Sequence, residues 1–491
     1  MAPFVGCLGW QPTCLDPPVG GCFLDQSKID AVHKARASVR DTGRPDAVER
    51  VHASGHLTAR ERIAALLDAE SDIEVGRLQG KADWGWVPTL GGVDFLGTVD
   101  GHPVVTSSTD YSDHGGGYGA GHLARLFALS GQQRWPVVLF VDGGGSRAQS
   151  LEGSGAEMAR LQGRYPGGTG FFEGMAALAG WVPLIAVVSG PSFAGHATLA
   201  AFCDVIITTR GSSIGMGGPP MVEAAFGVKL KPTELGPVEM HEETGGIDLL
   251  VDDEHQALAA AKRALAVYYD EPSGPPPARE AEIARLVADQ GPYDMRPVID
   301  ALVDADSYFE VRPNYATSLI TAFARMDGRS VGIIANQPDS PNGGAIDQAA
   351  AGKIARFVQT CDSYGLPIIS LIDTPGFVLR TPEGEERTGM TRHHARPLRA
   401  LHHRSVPLFS VQIRKARGLA AAAMSGIGSA NVLPALRLAW PTVDLGVSDR
   451  YSQGFDDVVD PAETRGHILK VLRQLPRTIP PGPKKRPRDS W

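Results

Sequence analysis

The stretch GPSFAGHATLAAFCDVIITTRGSSIGMGGP (residues 190–219) holds glycines at 190, 195, 211, 215, 217 and 218 around an apolar run, with almost nothing that serves as an acid or base. Chemistry done by such a stretch is done by backbone. A helix N-terminus presents unpaired N–H groups and a partial positive charge, and small residues let a ligand oxygen approach those amides. One well-placed donor to a developing oxyanion is worth about 3–4 kcal/mol. A thioester enolate is one anion such a site would hold.

The side-chain alternatives are weak. Ser192 lies in GPSFAG, which is not the G-x-S-x-G of a nucleophile elbow. The glycines of DGGGSR (142–147) form neither G-x-G-x-x-G nor a phosphate loop with its lysine. RHHARPLRALHHR (392–404) carries four histidines, in adjacent pairs without nearby carboxylates, and reads as a polar helix face; no metal site is expected. His196 is open to two readings, a general base or a capping or packing histidine.

The elements around the glycines recur. WPVVLFVDGGGSR (135–147) is a buried-strand pattern ending in Asp142, and LPIISLIDTPGF (366–377) has the same form ending in Asp373, 231 residues on. PLIAVVSGPSFAGHATLAAF (183–202) is strand, small-residue turn and Ala-rich helix, and PLFSVQIRKARGLAAAAM (407–424) repeats that order, with Gly195 and Leu419 224 residues apart. Each is followed by a short strand and a turn, CDVIITTRGSSIG and LRLAWPTVDLG. Close helix-on-sheet packing also asks for glycine, but two such sites at nearly one offset point to a duplicated α/β domain and to function. YDEPSGPPPAREAE (269–282) reads as the linker. Residues 27–68 read as a helical N-terminal extension. There a Thr58-x-x-Glu61 capping box precedes the apolar positions Ile63, Leu66 and Leu67.

Length and composition bound the rest. At 491 residues the chain exceeds one ordinary core. Its net charge of −8 argues against non-specific nucleic-acid binding. No apolar run reaches the length of a membrane span, and the N-terminus lacks the pattern of a secretory signal. Five sparse cysteines, at 7, 14, 22, 203 and 361, fit a reducing compartment, and a cytoplasmic location is expected. The first 26 residues are expected to be disordered.

With these residues in view, the chain resembles the carboxyltransferase (β) subunits of biotin-dependent acyl-CoA carboxylases of the propionyl-, methylcrotonyl- and acetyl-CoA type. The likeness spans most of the chain: GHLTARERIAALLD (55–68), GGVDFLGTVDGHPVVTSSTDYS (91–112), FAGHATLAAFCDVIITTRGSSIGMGGPPMVE (193–223) and ELGPVEMHEETGGIDLLVDDE (234–254). It continues through VGIIANQP (331–338), GGAID (343–347), DTPGF (373–377), IRKARGLAAAAM (413–424) and AWPT (439–442).

The resemblance implies two tandem crotonase-like domains of the ClpP/crotonase superfamily, in an α/β fold. The N-terminal carboxyltransferase domain (27–270) would bind acyl-CoA, 271–290 would link, and the C-terminal domain (291–491) would face biotin. The first oxyanion hole falls on Ala194 and Gly195, the second on Leu419 and Ala420. Acyl-CoA would meet Gly143, Gly144, Gly145, His196, Gly217 and Gly218, with Ala422 at the acyl pocket. Gly376, Phe377 and Gly418 would lie on the biotin side. The cofactor is biotin, carried on a separate protein, because neither a biotinyl-lysine motif nor an ATP-binding glycine loop with its lysine is visible. The implied partners are a biotin carboxylase and carrier, in a homo-oligomer that is a hexamer in the family.

The sequence departs from the family's pattern. Ala194 and Leu419 stand where the family has glycine, and Arg417 where it has an aromatic residue. After AWPT a glycine-rich turn and a long helical stretch are missing, so that 443–465 is short. The first reading is therefore a carboxyltransferase subunit. The alternatives are a biotin-independent acyl-CoA decarboxylase or other CoA-thioester lyase or transferase, and a non-catalytic paralogue subunit.

Overall fold

A computed structural model describes residues 26–81, 85–88, 91–112, 116, 122–144, 171–272, 274–379, 389–426, 433–446 and 454–476. Of the positions singled out above, 1–25, Gly145 and 447–453 lie outside these residues, and Gln26 opens the first helix.

Two seven-stranded sheets repeat one topology. In the N-terminal half the order is Ile73–Val75, Gly92–Val99, His102–Thr109, Val137–Phe140, Leu184–Val188, Val205–Thr209 and Leu249–Val251. In the C-terminal half it is Phe309–Val311, Leu319–Met326, Arg329–Asn336, Ile368–Thr374, Leu408–Ala416, Leu436–Ala439 and Asp457–Val458. In each sheet the first three strands are antiparallel and the rest parallel. The central parallel strands Val137–Phe140, Leu184–Val188, Val205–Thr209 and Ile368–Thr374 are buried throughout, as strands covered on both faces are. Each hairpin turns on an Asp-Gly pair at positive φ: Asp100 and Gly101 at 50° and 79°, Asp327 and Gly328 at 56° and 77°. A two-residue turn of that hand matches the twist of its strands.

Register makes the repeat concrete. Val137 pairs with Val105 and Leu184, and Ile368 pairs with Gly332 and Leu408. Counted from these matched rows, Asp142 and Asp373 occupy one position and Gly195 and Leu419 another.

The extension is helical at Gln26–Ser38, Pro45–Ala53 and Ala59–Leu66. The capping box forms: the Glu61 amide donates to Thr58 Oγ1 at 3.1 Å, and the Thr58 amide donates to Glu61 Oε2 at 2.8 Å. Ile63, Leu66 and Leu67 are buried. Gly97 admits Leu67, since a Cβ there would stand 2.6 Å from the Leu67 side chain.

One core joins the halves. Helices Ala59–Leu66, Glu254–Ala266 and Gln348–Tyr364 share a cluster with residues of both sheets. Polar ties cross the same boundary. Arg312 pairs with Asp248 at 2.8 Å, and Tyr364 donates its hydroxyl to Asp204 at 2.6 Å. Within the C-terminal half, Lys353 Nζ donates to the carbonyls of Arg312, Tyr315 and Leu319 at 2.8, 2.7 and 2.7 Å. Burial pushes that ammonium down to about 7. No helix among the described residues is long and apolar enough to cross a membrane.

Candidate functional site

Two sites form where parallel strands end, one in each half. In the N-terminal half, strand Leu184–Val188 runs through Ser189 and Gly190 into the short strand Pro191–Phe193, which pairs in parallel with Ser213–Gly215. The chain then bends at Ala194, with φ 53° and ψ −118°, into helix Gly195–Ala201. This conformation suits glycine, so an alanine there stores strain. The first intrahelical bond runs from the Thr198 amide to the Ala194 carbonyl, at 2.9 Å. The amides of Gly195, His196 and Ala197 thus stand in the open first turn. The amide of Ala194 does not, because it donates to the Gly215 carbonyl at 3.1 Å.

The glycines expected on the substrate side gather at this helix end. Gly143 exchanges backbone bonds with Pro191 and Phe193, at 2.6 and 2.9 Å. A Cβ on Gly143 would fall 2.3 Å from the His196 ring, so this glycine is what admits the imidazole. A Cβ on Gly218 would lie 3.4 Å from the Gly144 carbonyl and 3.7 Å from Phe193. Around Gly217 no heavy atom comes within 4 Å of a Cβ position. Phe172, half exposed, lies nearest the Gly195 Cβ position at 3.7 Å. His196 is 3% exposed, and its Nε2 lies 2.8 Å from the carbonyl of Gly116. A carbonyl only accepts, so Nε2 carries the proton. Burial holds the ring below its usual pKa.

Behind this turn lies a row of buried charges. Asp142 Oδ1 accepts the amides of Ser189 and Gly190 at 2.9 and 3.0 Å. Its Oδ2 meets Arg62 at 2.7 Å. Arg62 also grips Glu254 with two bonds of 2.9 and 2.8 Å, and Glu254 reaches His56 Nδ1 at 2.8 Å. Burial acts to raise the Glu254 carboxyl, but bonds from His56 and Arg62 outweigh it and hold the group at about 2. The bond to Glu254 raises the His56 imidazole. Sequence reasoning missed Arg62, Glu254 and His56. The available signal was Arg62 itself, a charge on the buried stripe of a capped helix.

The C-terminal half builds the matching end. Strand Leu408–Ala416 leads through Arg417 to Gly418, at φ 60°, and into helix Gly418–Ser425. The first bond within that helix reaches from the Ala421 amide to the Arg417 carbonyl, leaving the amides of Gly418, Leu419 and Ala420 in the open first turn. The Arg417 amide donates to Thr374 at 3.3 Å, as Phe193 does to Gly143. Leu419 is 61% exposed, Ala420 is buried and Ala422, one turn along, is half-buried. Ala422 thus belongs to the C-terminal helix Gly418–Ser425. Gly376, at φ 143°, has open space where a Cβ would stand, and Phe377 meets the edge of the His394 ring at 5.7 Å.

Asp373 mirrors Asp142. Its Oδ1 accepts the Lys415 amide at 3.2 Å, while Oδ2 takes Tyr293 and Arg414 at 2.9 and 3.0 Å. The segment after AWPT keeps part of the N-terminal pattern at Asp444. The Asp444 amide donates to Arg414 at 2.7 Å where Ser213 donates to Gly190 at 3.2 Å, and Asp444 forms an ion pair with Arg417.

Residues 50–449 match the carboxyl transferase domain family. The chain is 34% identical to the methylmalonyl-CoA decarboxylase subunit alpha of Veillonella parvula, over 86% of this chain and 84% of that one. It is 30% identical to the biotin-dependent acetyl-/propionyl-coenzyme A carboxylase beta5 subunit of Mycobacterium tuberculosis, over 94% of both chains. Among solved structures, transcarboxylase 12S, a hexamer with methylmalonyl-coenzyme A and methylmalonic acid bound, superposes with a TM-score of 0.79 at 30% identity. The match covers 94% of this chain and 99% of that one. A single-chain, multi-domain long-chain acyl-CoA carboxylase gives a TM-score of 0.79 at 34% identity, over 91% of this chain; the chain spans 49% of that longer protein.

Proposed function

The chain belongs to the carboxyl transferase domain family, and from that premise we propose that it is the carboxyltransferase subunit of an acyl-CoA carboxylase. It moves a carboxyl group from carboxybiotin on a separate carrier protein to the α-carbon of an acyl-CoA. The observation that carries this reading is the pair of open helix starts, at Gly195 and at Leu419, placed at one register in a duplicated fold.

In this reading residues 27–270 form the acyl-CoA domain, 271–290 the linker and 291–491 the biotin-facing domain. The thioester oxygen lies at the N-terminal helix start, where the Gly195 amide stabilises the charge that grows as the enolate forms. Ala194 shapes that helix start by its bend rather than donating, since its own amide is bonded to Gly215. Gly143, Gly144, Gly217 and Gly218 give the thioester room, and Gly145 follows Gly144 in the sequence. His196 props Gly143 and Gly116.

The C-terminal end fits a biotin ring. The amides of Leu419 and Ala420 face no intrahelical acceptor and Gly376 leaves open space; Gly418 and Phe377 belong to this biotin side, and Ala422 to the acyl pocket. Carboxybiotin, when bound there, would supply the carboxyl group, and the biotin nitrogen freed of it would take up the α-proton, so the chain would need no side-chain base. The partners are a biotin carboxylase and carrier. The assembly is a hexamer, as in transcarboxylase 12S. The buried cysteines Cys203 and Cys361 support a cytoplasmic location.

One observation favours a second reading, acyl-CoA decarboxylation: the 34% identity to a methylmalonyl-CoA decarboxylase subunit. Purified chain assayed with carboxylated carrier and acyl-CoAs of increasing length separates the two. Carrier-dependent carboxylation supports the first reading, and its absence with every acyl-CoA refutes it.

A further inference from the structure

Resting on that reading, we infer that Asp142 and Asp373 are positioning residues, one for each amide site, each acting through the main chain in front of it. Both carboxylates are buried, at 2% and 0% exposure. Both stand at the end of the third strand counted from the hairpin's first, at one register position. Asp142 fixes Ser189 and Gly190, a few residues before Gly195. Asp373 fixes Lys415, a few residues before Leu419. Ser189 and Gly190 lie past the end of strand Leu184–Val188, and Lys415 lies where the ladder between Ile368–Thr374 and Leu408–Ala416 shifts register, so at both points the regular ladder leaves amides in need of an acceptor.

The two halves neutralise these carboxylates by different means. Asp142 is paired with Arg62, which comes from the N-terminal extension and is itself held by Glu254. Asp373 is paired with Arg414, from the very strand it positions, and with the Tyr293 hydroxyl, the guanidinium lying 4.9 Å over the Tyr293 ring. A buried ion pair is weak evidence for stability, because well-packed apolar residues of similar volume often serve as well. The amides held differ by a residue or two in register, since Ser189 and Gly190 match Ile413 and Arg414 while Asp373 holds Lys415; what is common is a buried carboxylate at one position that takes amides of the segment leading to the helix start. Those amides aim the crossover that delivers each helix start, and a misplacement of about 1 Å in such a site costs about a hundredfold in rate.

The test is a double dissociation in the full chain with its carrier. The N-terminal site is read as the affinity for an α-nitro acyl-CoA, an enolate mimic, relative to an unreactive thioether acyl-CoA. The C-terminal site is read as discharge of carboxylated carrier in the absence of acyl-CoA. Asp142→Asn should weaken the enolate mimic by about tenfold or more, leave the thioether within about twofold and leave discharge within about twofold. Asp373→Asn should slow discharge by about tenfold or more and leave both CoA ligands within about twofold. Should either variant fail to fold, Arg62→Lys and Tyr293→Phe probe the same two carboxylates. Variants that move both readouts equally, or neither, overturn the inference alone. A parent chain that neither prefers the enolate mimic nor discharges carrier overturns the functional reading and this inference with it.

Discussion

The amide of Ala194 is bonded to the carbonyl of Gly215, at 3.1 Å, while the next amide, that of Gly195, stands in the open first turn of its helix. A two-residue motif thus divides into a bend and a donor. The equivalent position in the other half is Gly418, which adopts the same sign of φ at 60° without a side chain.

Ala194 carries strain that glycine would relieve. A left-handed alanine costs roughly 1–2 kcal/mol, partly offset by the greater freedom of glycine in the unfolded chain. Ala194→Gly should therefore raise unfolding stability by about 0.5–1 kcal/mol, the reverse of the usual effect of glycine. Gly418→Ala should lower stability by about 1 kcal/mol. Denaturant unfolding of the two variants checks both signs.

Removing the open donor should stop the chemistry and spare the fold. Proline is tolerated at the first residue of a helix, where its missing N–H had no helical partner. Gly195→Pro, made alongside Ala194→Gly to free the preceding residue, should lower kcat by about a hundredfold or more. A folded protein with full activity would show that the Gly195 amide does not hold the oxyanion.

His196 donates from Nε2 to Gly116 and packs on Gly143, the geometry of a prop rather than of a base. His196→Ala should cost about 2 kcal/mol of stability and less than about threefold in kcat. A loss near a hundredfold in kcat, the general-base scale of about 10²–10⁴, would make it catalytic instead.

Two histidines, the buried His196 and the half-buried His56, titrate with opposite sign. Burial lowers His196 below its ordinary 6.5, so the unfolded chain takes up the proton first. Its stabilising contribution is complete above 6.5 and is lost as pH falls through the lower folded value. The bond to Glu254 raises His56, whose contribution is complete below 6.5 and is lost as pH rises through the higher folded value. Urea unfolding across about pH 5 to 8 should lose its acid-side decline in His196→Asn and its alkaline-side decline in His56→Asn.

Much of the fold was legible because duplication leaves a mark that needs no contacts to read. The Asp142–Asp373 and Gly195–Leu419 offsets became strand registers, and the Thr58–Glu61 capping box formed as its spacing required. A third echo, Asp100-Gly101 against Asp327-Gly328, lay unused in the sequence as a pair of hairpin signals. The occupied amide of Ala194 was not legible, since it depends on a pairing with Ser213–Gly215 that no local pattern encodes. Nor was the Arg62–Glu254 link, whose partners are 192 residues apart. The short stretch after AWPT read only as a loss, yet Asp444 retains the backbone bond that Ser213 makes in the other half.

The central claim is carboxyl transfer between a carrier and an acyl-CoA, and labelled carboxyl tests it most directly. Carrier bearing isotope-labelled carboxybiotin is mixed with the chain and propionyl-CoA, and the acid-stable label in the CoA product is counted against carrier consumed. A parallel mixture holds methylmalonyl-CoA and no carrier. Label is expected in the CoA product only when chain, carrier and acyl-CoA are all present. Some label should also be lost as free CO2, since Leu419 stands exposed at the start of the second helix. Loss of CO2 from methylmalonyl-CoA without carrier, with no label transferred in the first mixture, would contradict carboxyl transfer and make the protein a decarboxylase.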